Sequence, residues 1–312
     1  MKHQGYRVVL GLALFSNGCA STTHHASPGT LGHPSTLEAM ETELDRPGPV
    51  TIERIVAADW TVDLGGMLDL DDARAKAAGL EDRPEPIHLY LYVLRHPKYG
   101  AFLVDSGIQA AFRTGERTIV AGLVASFMNT DALVVHHDTA KWLSSEETVP
   151  AGVLMTHLHL DHILGLPDLP TGTKVYVGPG EAEDSKFGYL FTQGTTDRAL
   201  DGKDLRSLPA STPDGGFAGV LDLFGDGSVW ALHAPGHTAG SLIFIVRSTE
   251  GPAMMVGDTC HTAWGWDHDV TPGTFTADHE KNAESLAAAR ALAERHPTMR
   301  VYLGHQEAHI EP

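Results

Sequence analysis

Thr156-His-Leu-His-Leu-Asp-His162 is the stretch that decides the fold of this chain. It places three imidazoles and a carboxylate directly after the apolar segment 153–155. We expect a strand ending at Thr156 and a turn that projects His157 and His159 to one side. Asp161 and His162 then begin a helix, whose N-terminal dipole favours the carboxylate, and point at a neighbouring position. Two clusters of this kind suit two metal ions. The alternative is a solvated His-rich loop, and the leucines that alternate with the polar residues argue against it.

Three later segments offer the further ligands that two metal ions require. Each is an apolar strand followed by a glycine-containing turn and a polar ligand residue: Ala234-Pro-Gly-His237, Val256-Gly-Asp258 and Leu303-Gly-His305. Any one of them alone is ordinary turn chemistry. Their order after the His motif makes the set specific for a metal site.

Taken together, these motifs resemble those of the metallo-β-lactamase superfamily of hydrolases. The resemblance covers residues 50–310 and includes the strand end Leu103-Val-Asp105-Ser-Gly. It implies an α/β fold, an αββα four-layer sandwich of two mixed sheets flanked by helices. It also implies two divalent metal ions, zinc by preference, with Asp105 orienting a ligand imidazole from behind. By motif the ligands are His157, His159 and His237 for the first ion, Asp161, His162 and His305 for the second, and Asp258 as the bridge.

Within the superfamily the chain is most similar to the N-acyl-homoserine lactone lactonases. Two features carry this resemblance: the bridging Asp258, and the opening strands Ile87-His-Leu-Tyr-Leu-Tyr-Val-Leu-Arg-His-Pro and Phe102-Leu-Val-Asp-Ser-Gly. Those lactonases commonly carry a Tyr three residues after the bridging Asp, where it contacts the substrate carbonyl. Here that position is His261. An imidazole can also donate a hydrogen bond, so we expect His261 to help hold the carbonyl oxygen.

The resemblance implies a metal-dependent hydrolase that opens lactone or ester bonds of a small-molecule substrate. Two cations that share a water lower its pKa towards about 7, which gives a bridging hydroxide as the nucleophile. Asp161 or Asp258 would then pass a proton to the leaving alkoxide. Thioesters, phosphotriesters, aryl sulfates and β-lactams remain alternatives, because a fold does not by itself choose the bond. A non-catalytic metal-binding lipoprotein is a less favoured alternative.

Charge excludes one class of partner. The chain has 22 Lys and Arg against 40 Asp and Glu, a formal net charge of −18, and no basic stripe. Nucleic acid is therefore not an expected partner. A pair of divalent cations would reverse this field locally, so the acidic balance leaves an anionic substrate open.

The N-terminus predicts export. Residues 1–19 resemble a secretory signal peptide, with Lys2 and Arg7 before the apolar run 8–15, which is too short to span a bilayer. Cys19 at its end resembles a lipoprotein signal and predicts a lipid anchor in the bacterial cell envelope, at the periplasmic side or outer membrane. Ser16 departs from that signal, and cleavage near Ala20 to give a secreted or periplasmic protein is the alternative. We expect residues 20–49 to be a flexible tether and residues 50–312 to be the hydrolase domain.

Periodicity predicts the main elements of that domain. The clearest helix covers residues 278–295, with Asn282, Glu284 and Ser285 facing solvent. Residues 107–149 and 182–220 give no confident prediction. Strands are expected at residues 50–57, 87–95, 101–105, 153–156, 174–177, 229–233, 241–246, 253–256 and 300–303.

Three residues that follow the Asp258 turn could have either a structural role or a role in the site. Cys260 is expected to be a buried, small apolar residue, and a role beside the metal ligand is less favoured. Trp264 and Trp266 suit either the wall of an apolar acyl pocket or ordinary core and surface positions.

Overall fold

The first sheet is built from strands on both sides of the His motif. The computed structural model describes residues 24–120, 122–183 and 189–308, and within them this sheet comprises β1 (Ser27–Pro28), β3 (Thr51–Asp63), β4 (Pro84–His96), β5 (Gly100–Val104), β6 (Val134–Val135), β7 (Gly152–Leu154), β8 (Lys174–Val177) and β9 (Asp204–Ser207). The strand order is β1-β9-β8-β7-β5-β4-β3-β6. β3, β4 and β5 pair antiparallel, whereas β5, β7, β8 and β9 run parallel. The sheet is therefore mixed.

The second sheet holds the strands that precede the later ligand turns. In the described ranges it comprises β2 (His33–Pro34), β10 (Gly219–Asp222), β11 (Val229–His233), β12 (Leu242–Ser248), β13 (Gly251–Met255) and β14 (Arg300–Tyr302). Their order is β14-β13-β12-β11-β10-β2. β13 and β14 are parallel, and the other neighbours are antiparallel. Every strand expected from the sequence is present in one of the two sheets.

Helices cover the outer face of each sheet. They are α1 (Leu37–Leu44), α2 (Leu64–Met67), α3 (Ala73–Ala77), α4 (Ala111–Thr114), α5 (Leu123–Phe127), α6 (Thr139–Ser145), α7 (Leu160–Ile163), α8 (Tyr189–Leu200), α9 (Ala263–His268) and α10 (His279–Arg295), with short 3-10 turns at Thr130–Ala132, Leu166–Asp168 and Gly257–Thr259. None of the helices in the described ranges is long and apolar enough to cross a membrane.

Strand alternation divides the core into three layers. Neighbouring residues of a strand point to opposite faces of its sheet. Phe102 and Phe244 therefore pack between the two sheets, while Leu103 packs under the helices of the first sheet. Ile243 packs under α10 and α1 on the far side of the second sheet. The αββα four-layer sandwich expected from the sequence is confirmed.

The segment before the domain differs from the expected tether. The predicted signal peptide, Cys19 and Ala20 lie outside the described residues, but residues 24–49 are packed on the sandwich. β1 extends the first sheet and β2 extends the second. Met40 and Leu44 of α1 are fully buried. The expectation of a flexible tether is wrong for residues 24–49, because two apolar residues four apart supply a buried helix face within a polar composition.

The predicted helix at residues 278–295 is confirmed as α10, capped by Asp278, but its buried face is wider than expected. Glu284 is exposed, whereas Asn282 and Ser285 are buried. Asn282 Nδ2 donates to the carbonyl of Thr259, and Ser285 Oγ donates to the carbonyl of Pro235. These two polar side chains hold the Asp258 and His237 turns against the helix.

Asn282→Ala should therefore destabilise the protein. The substitution leaves the Thr259 carbonyl without its buried donor, and losses of this kind are about 1–3 kcal/mol. We expect a lower urea midpoint with an unchanged denaturant slope. Glu284→Ala, two residues along the same helix and exposed, is the matched control. Equal midpoints for the two variants would contradict the assigned role of Asn282.

Candidate metal centre

The ligand residues predicted from the sequence meet at one edge of the sandwich. β5 and β7 are parallel, so Asp105 and Thr156 emerge side by side. β11 and β13 are each antiparallel to β12 and so run in the same direction, and β14 is parallel to β13. The turns that carry His237, Asp258 and His305 therefore emerge together, facing the loop of the His motif.

Two glycine turns pass very close to neighbouring side chains at this edge. Gly257 has a φ of 51°, in the left-handed region, and a side chain there would meet Cβ of Thr156 at 2.8 Å. A side chain at Gly304 would meet the carboxylate of Asp258. Glycine is needed at both turns because the chain must pass so close to the centre.

The seven predicted ligands form two groups that share Asp258. The ligand atoms of each group lie within 4.8 Å of one another. The first group is His157, His159, His237 and Asp258, and the second is Asp161, His162, Asp258 and His305. This is the partition implied by the family resemblance.

The carboxylate of Asp258 lies at the middle of both groups. Its Oδ2 is 3.4 Å from His237 Nε2 and 3.3 Å from His305 Nε2. Its Oδ1 is 3.3 Å from His162 Nε2. In the first group, Nδ1 of His159 lies 2.9 Å from Nε2 of His237. Asp258 thus lies against ligand nitrogens of both groups.

Outer partners fix the ring orientations. His162 Nδ1 donates to Asp105 Oδ2 at 2.8 Å, which is the contact expected for Asp105. His305 Nδ1 donates to the carbonyl of His88 at 3.0 Å. His157 Nδ1 lies 3.1 Å from Thr156 Oγ1, which is itself 3.0 Å from Asp105. With hydrogens on the outer nitrogens, the Nε2 lone pairs of these rings point into the centre.

Several polar atoms of the centre are buried without a hydrogen-bond partner. They include His157 Nε2, His162 Nε2 and Asp258 Oδ1. Buried polar groups are nearly always satisfied, and an exception calls for an explanation such as an ion. Three imidazoles with a carboxylate, and two imidazoles with two carboxylates, are donor sets that divalent metal ions accept. The residues present therefore fit a metal.

Electrostatics distinguishes the two groups. Burial is the main cause that holds the pKa of His157 and of His237 well below the ordinary value, so these rings stay neutral ligands. In the second group burial also lowers the pKa of His305, but Asp258 and Asp161 outweigh it and raise that pKa to about 10. The second group is thus the more negative environment, and it favours a cation.

The residues after the Asp258 turn lie on different sides of the site. Cys260 is buried among apolar residues of the second sheet's outer core, which confirms the structural interpretation. Trp266 packs against that same core. Trp264 packs on the first-sheet side and stacks on His268, with ring centroids 4.0 Å apart. A wall of an acyl pocket remains a prediction for both tryptophans.

Glu181 is a residue of the site that the sequence did not reveal. It follows β8 in a turn and is 6% exposed. Its Oε1 accepts from the amide of Leu158 at 2.6 Å, between the two histidines of the motif. Its Oε2 accepts from Thr238 Oγ1 at 2.6 Å and from the amide of Gly240 at 2.9 Å, directly after His237. One carboxylate thus ties together the two loops of the first ligand group.

Glu181→Gln should loosen the first ligand group. The amide nitrogen cannot accept, so at least one of the two loops loses its partner. Outer-partner substitutions commonly weaken metal binding about 10–100-fold, and we expect a loss of that size here. Chelator titration with metal analysis measures it. Glu183→Gln, two residues later and exposed, is the control. Equal metal affinity in both variants would show that Glu181 has no positioning role.

Comparison with known proteins now identifies the class. The profile described as metallo-beta-lactamase superfamily matches residues 84–305. This is more than half of the chain, and the chain belongs to this superfamily of hydrolases.

Its similarities point to the lactonase-like branch. The chain is 27% identical to the N-acyl homoserine lactonase AttM of Azorhizobium caulinodans over 216 residues, 65% of this chain and 76% of the relative. The structure of a B. thuringiensis AiiA mutant with N-decanoyl-L-homoserine bound at the active site superposes with a TM-score of 0.61 at 16% identity, covering 83% of this chain and 94% of that chain. AidC, a dizinc quorum-quenching lactonase, gives a TM-score of 0.54 at 13% identity, with 89% and 92% covered. The chain is therefore a metallo-hydrolase of the superfamily with similarity to these lactonases.

Proposed function

We propose that the protein is a dinuclear, zinc-dependent lactonase that opens N-acyl-homoserine lactones or closely related lactones and esters. The observation that carries the proposal is the pair of ligand groups that share Asp258. Two complete ligand groups that share one carboxylate are the arrangement expected for two metal ions, whereas one ion would require only one group. The similarity to AttM supports a lactone as the substrate, and the similarity to a dizinc lactonase supports zinc as the metal.

The chemistry follows from the donor set. When bound, two divalent cations supply a hydroxide nucleophile at neutral pH and polarise the substrate carbonyl. The protein fixes the ligands in advance: Asp105 holds the His162 ring, and Glu181 holds the loops of His157 and His237. Pre-organised ligands need no rearrangement when charge develops on the substrate.

Asp161 is the favoured proton carrier of the two candidate carboxylates. Its side chain is 19% exposed, compared with 4% for Asp258. Burial would raise the pKa of Asp161, but the charges of His162 and His305 outweigh it and hold that pKa well below the ordinary value. An ionised carboxylate on a partly exposed side chain can accept a proton and deliver it to the leaving alkoxide.

Metal analysis with a substrate panel tests this function. The purified full chain is assayed with N-acyl-homoserine lactones, simple lactones, thioesters, phosphotriesters, aryl sulfates and β-lactams. We expect two metal equivalents and a kcat/KM for lactones at least about 100-fold above every other class. If the protein binds two metal ions but prefers another substrate class, the proposed substrate is wrong and the proposed metal centre is retained. One tightly bound ion without turnover would favour the non-catalytic alternative.

We also propose that the protein is exported and anchored through a lipid on Cys19. The signal-like residues 1–19 support this. Membrane fractionation of the parent and of Cys19→Ser tests it, and we expect the variant alone to move to the soluble fraction. Equal partition of both would favour ordinary secretion.

A further inference from the structure

A sixth imidazole, that of His261, lies outside the two ligand groups but directly against Asp258, the carboxylate that both groups share. Its side chain is 1% exposed. Nε2 of His261 lies 2.9 Å from Oδ2 of Asp258. The ring centroid is 5.1 Å from that of His237 and 5.4 Å from that of His305. His261 therefore stands between one ligand of each group.

The outer nitrogen of His261 has a defined partner. Nδ1 lies 3.1 Å from the carbonyl oxygen of Met67, at the end of α2. A carbonyl can only accept, so Nδ1 carries the hydrogen. In the neutral ring Nε2 then carries a lone pair. In that form the ring cannot donate to a substrate carbonyl from Nε2, which is the role expected from the sequence.

The inner nitrogen has the same character as those of the predicted ligands. His261 Nε2 is buried without a hydrogen-bond partner, as are His157 Nε2 and His162 Nε2. Although Asp258 Oδ2 is within 2.9 Å, the two atoms are not aligned for a hydrogen bond. In the neutral ring, the Nε2 lone pair and the carboxylate oxygen repel each other at this separation unless a cation lies against both.

We propose that His261 is an additional direct ligand of the metal centre, through Nε2. The inference rests on the proposed metal-dependent function and names one more member of its ligand set. The carbonyl of Met67 holds the ring for this role as the carbonyl of His88 holds His305. The residue that replaces the lactonases' usual Tyr thus acts on the metal rather than on the substrate.

The test measures metal rather than activity. The full-length parent, His261→Ala and His261→Gln are compared with His279→Ala, an exposed histidine at the start of α10. Affinities are obtained by chelator competition, and the cobalt-loaded proteins are examined by visible and X-ray absorption spectroscopy. Loss of an outer partner alone weakens metal binding about 10–100-fold, so loss of a ligand should exceed this range for at least one ion. The cobalt d–d bands should shift, and the imidazole count should fall by one.

Two further results decide the case. Added imidazole should restore the cobalt spectrum of His261→Ala, which a purely structural defect would not allow. Parent-like affinities and cobalt spectra in both folded His261 variants, with only KM raised, would overturn the ligand role and restore a substrate contact. A parent that binds two ions but opens no lactone would instead overturn the proposed substrate, so the two failures are distinguishable.

Discussion

Asp258→Ala is expected to abolish hydrolysis, with kcat/KM falling at least about 1000-fold. Asp258 is the one residue that both ligand groups share, so its removal weakens both metal sites together. It also leaves the Nε2 atoms of His162, His237 and His305 without the carboxylate that lies 3.3–3.4 Å from them. We expect the purified variant to retain less than one metal equivalent.

The control for this result is Asp71→Ala, which removes the same group from a side chain that is 93% exposed. Both proteins are first checked for folding by circular dichroism. Lactone turnover near the parent rate in a folded Asp258→Ala protein would contradict the metal-dependent mechanism. His159→Ala, which affects the first group, should lose turnover as well.

Metal removal is expected to lower the melting temperature by about 10 °C and to abolish turnover. A ligand at 1000 times its dissociation constant stabilises the native state by about 4 kcal/mol per site. The entropy of unfolding is about 2.1 cal/mol/K per residue, so in a chain of 312 residues each kcal/mol corresponds to roughly 1–2 °C. The centre gathers buried carboxylates and unpartnered nitrogens, so the protein should lose much of this stability in chelator.

Readdition of zinc should restore both the melting temperature and the rate. The Asp258→Ala protein is the matched control, because its melting temperature should respond little to chelator. A parent whose melting temperature is the same with and without chelator would show that the centre binds no metal tightly.

The site could be predicted because its ligands are local in sequence. The stretch 156–162 contributes four of the seven candidate ligands, and each remaining one stands in a short glycine turn after an apolar strand. Such motifs can be recognised from the residue types and their spacing, without knowledge of contacts between distant parts of the chain. The αββα fold followed from the same motifs through the family resemblance.

What escaped prediction depends on distant partners. Glu181 looks like any acidic turn residue until the fold brings Leu158 and Thr238 to its two oxygens. Asn282 resembles a solvent-facing helix residue, yet it is buried because the Thr259 turn packs on it. α8 lies in a segment where neither periodicity nor turn residues predicted a helix. In the first two cases the deciding contact joins residues far apart in the chain.

The packed segment 24–44 has a geometric consequence for an anchored protein. β1 fastens the chain to one sheet and β2 fastens it to the other. His24, whose amide donates to the carbonyl of Ala182 on the domain, lies only five residues after Cys19. If Cys19 carries a lipid, the two residues are therefore at most about 18 Å apart. The enzyme would then lie directly against the membrane rather than at the end of a long linker, and it would meet its substrates at the lipid surface.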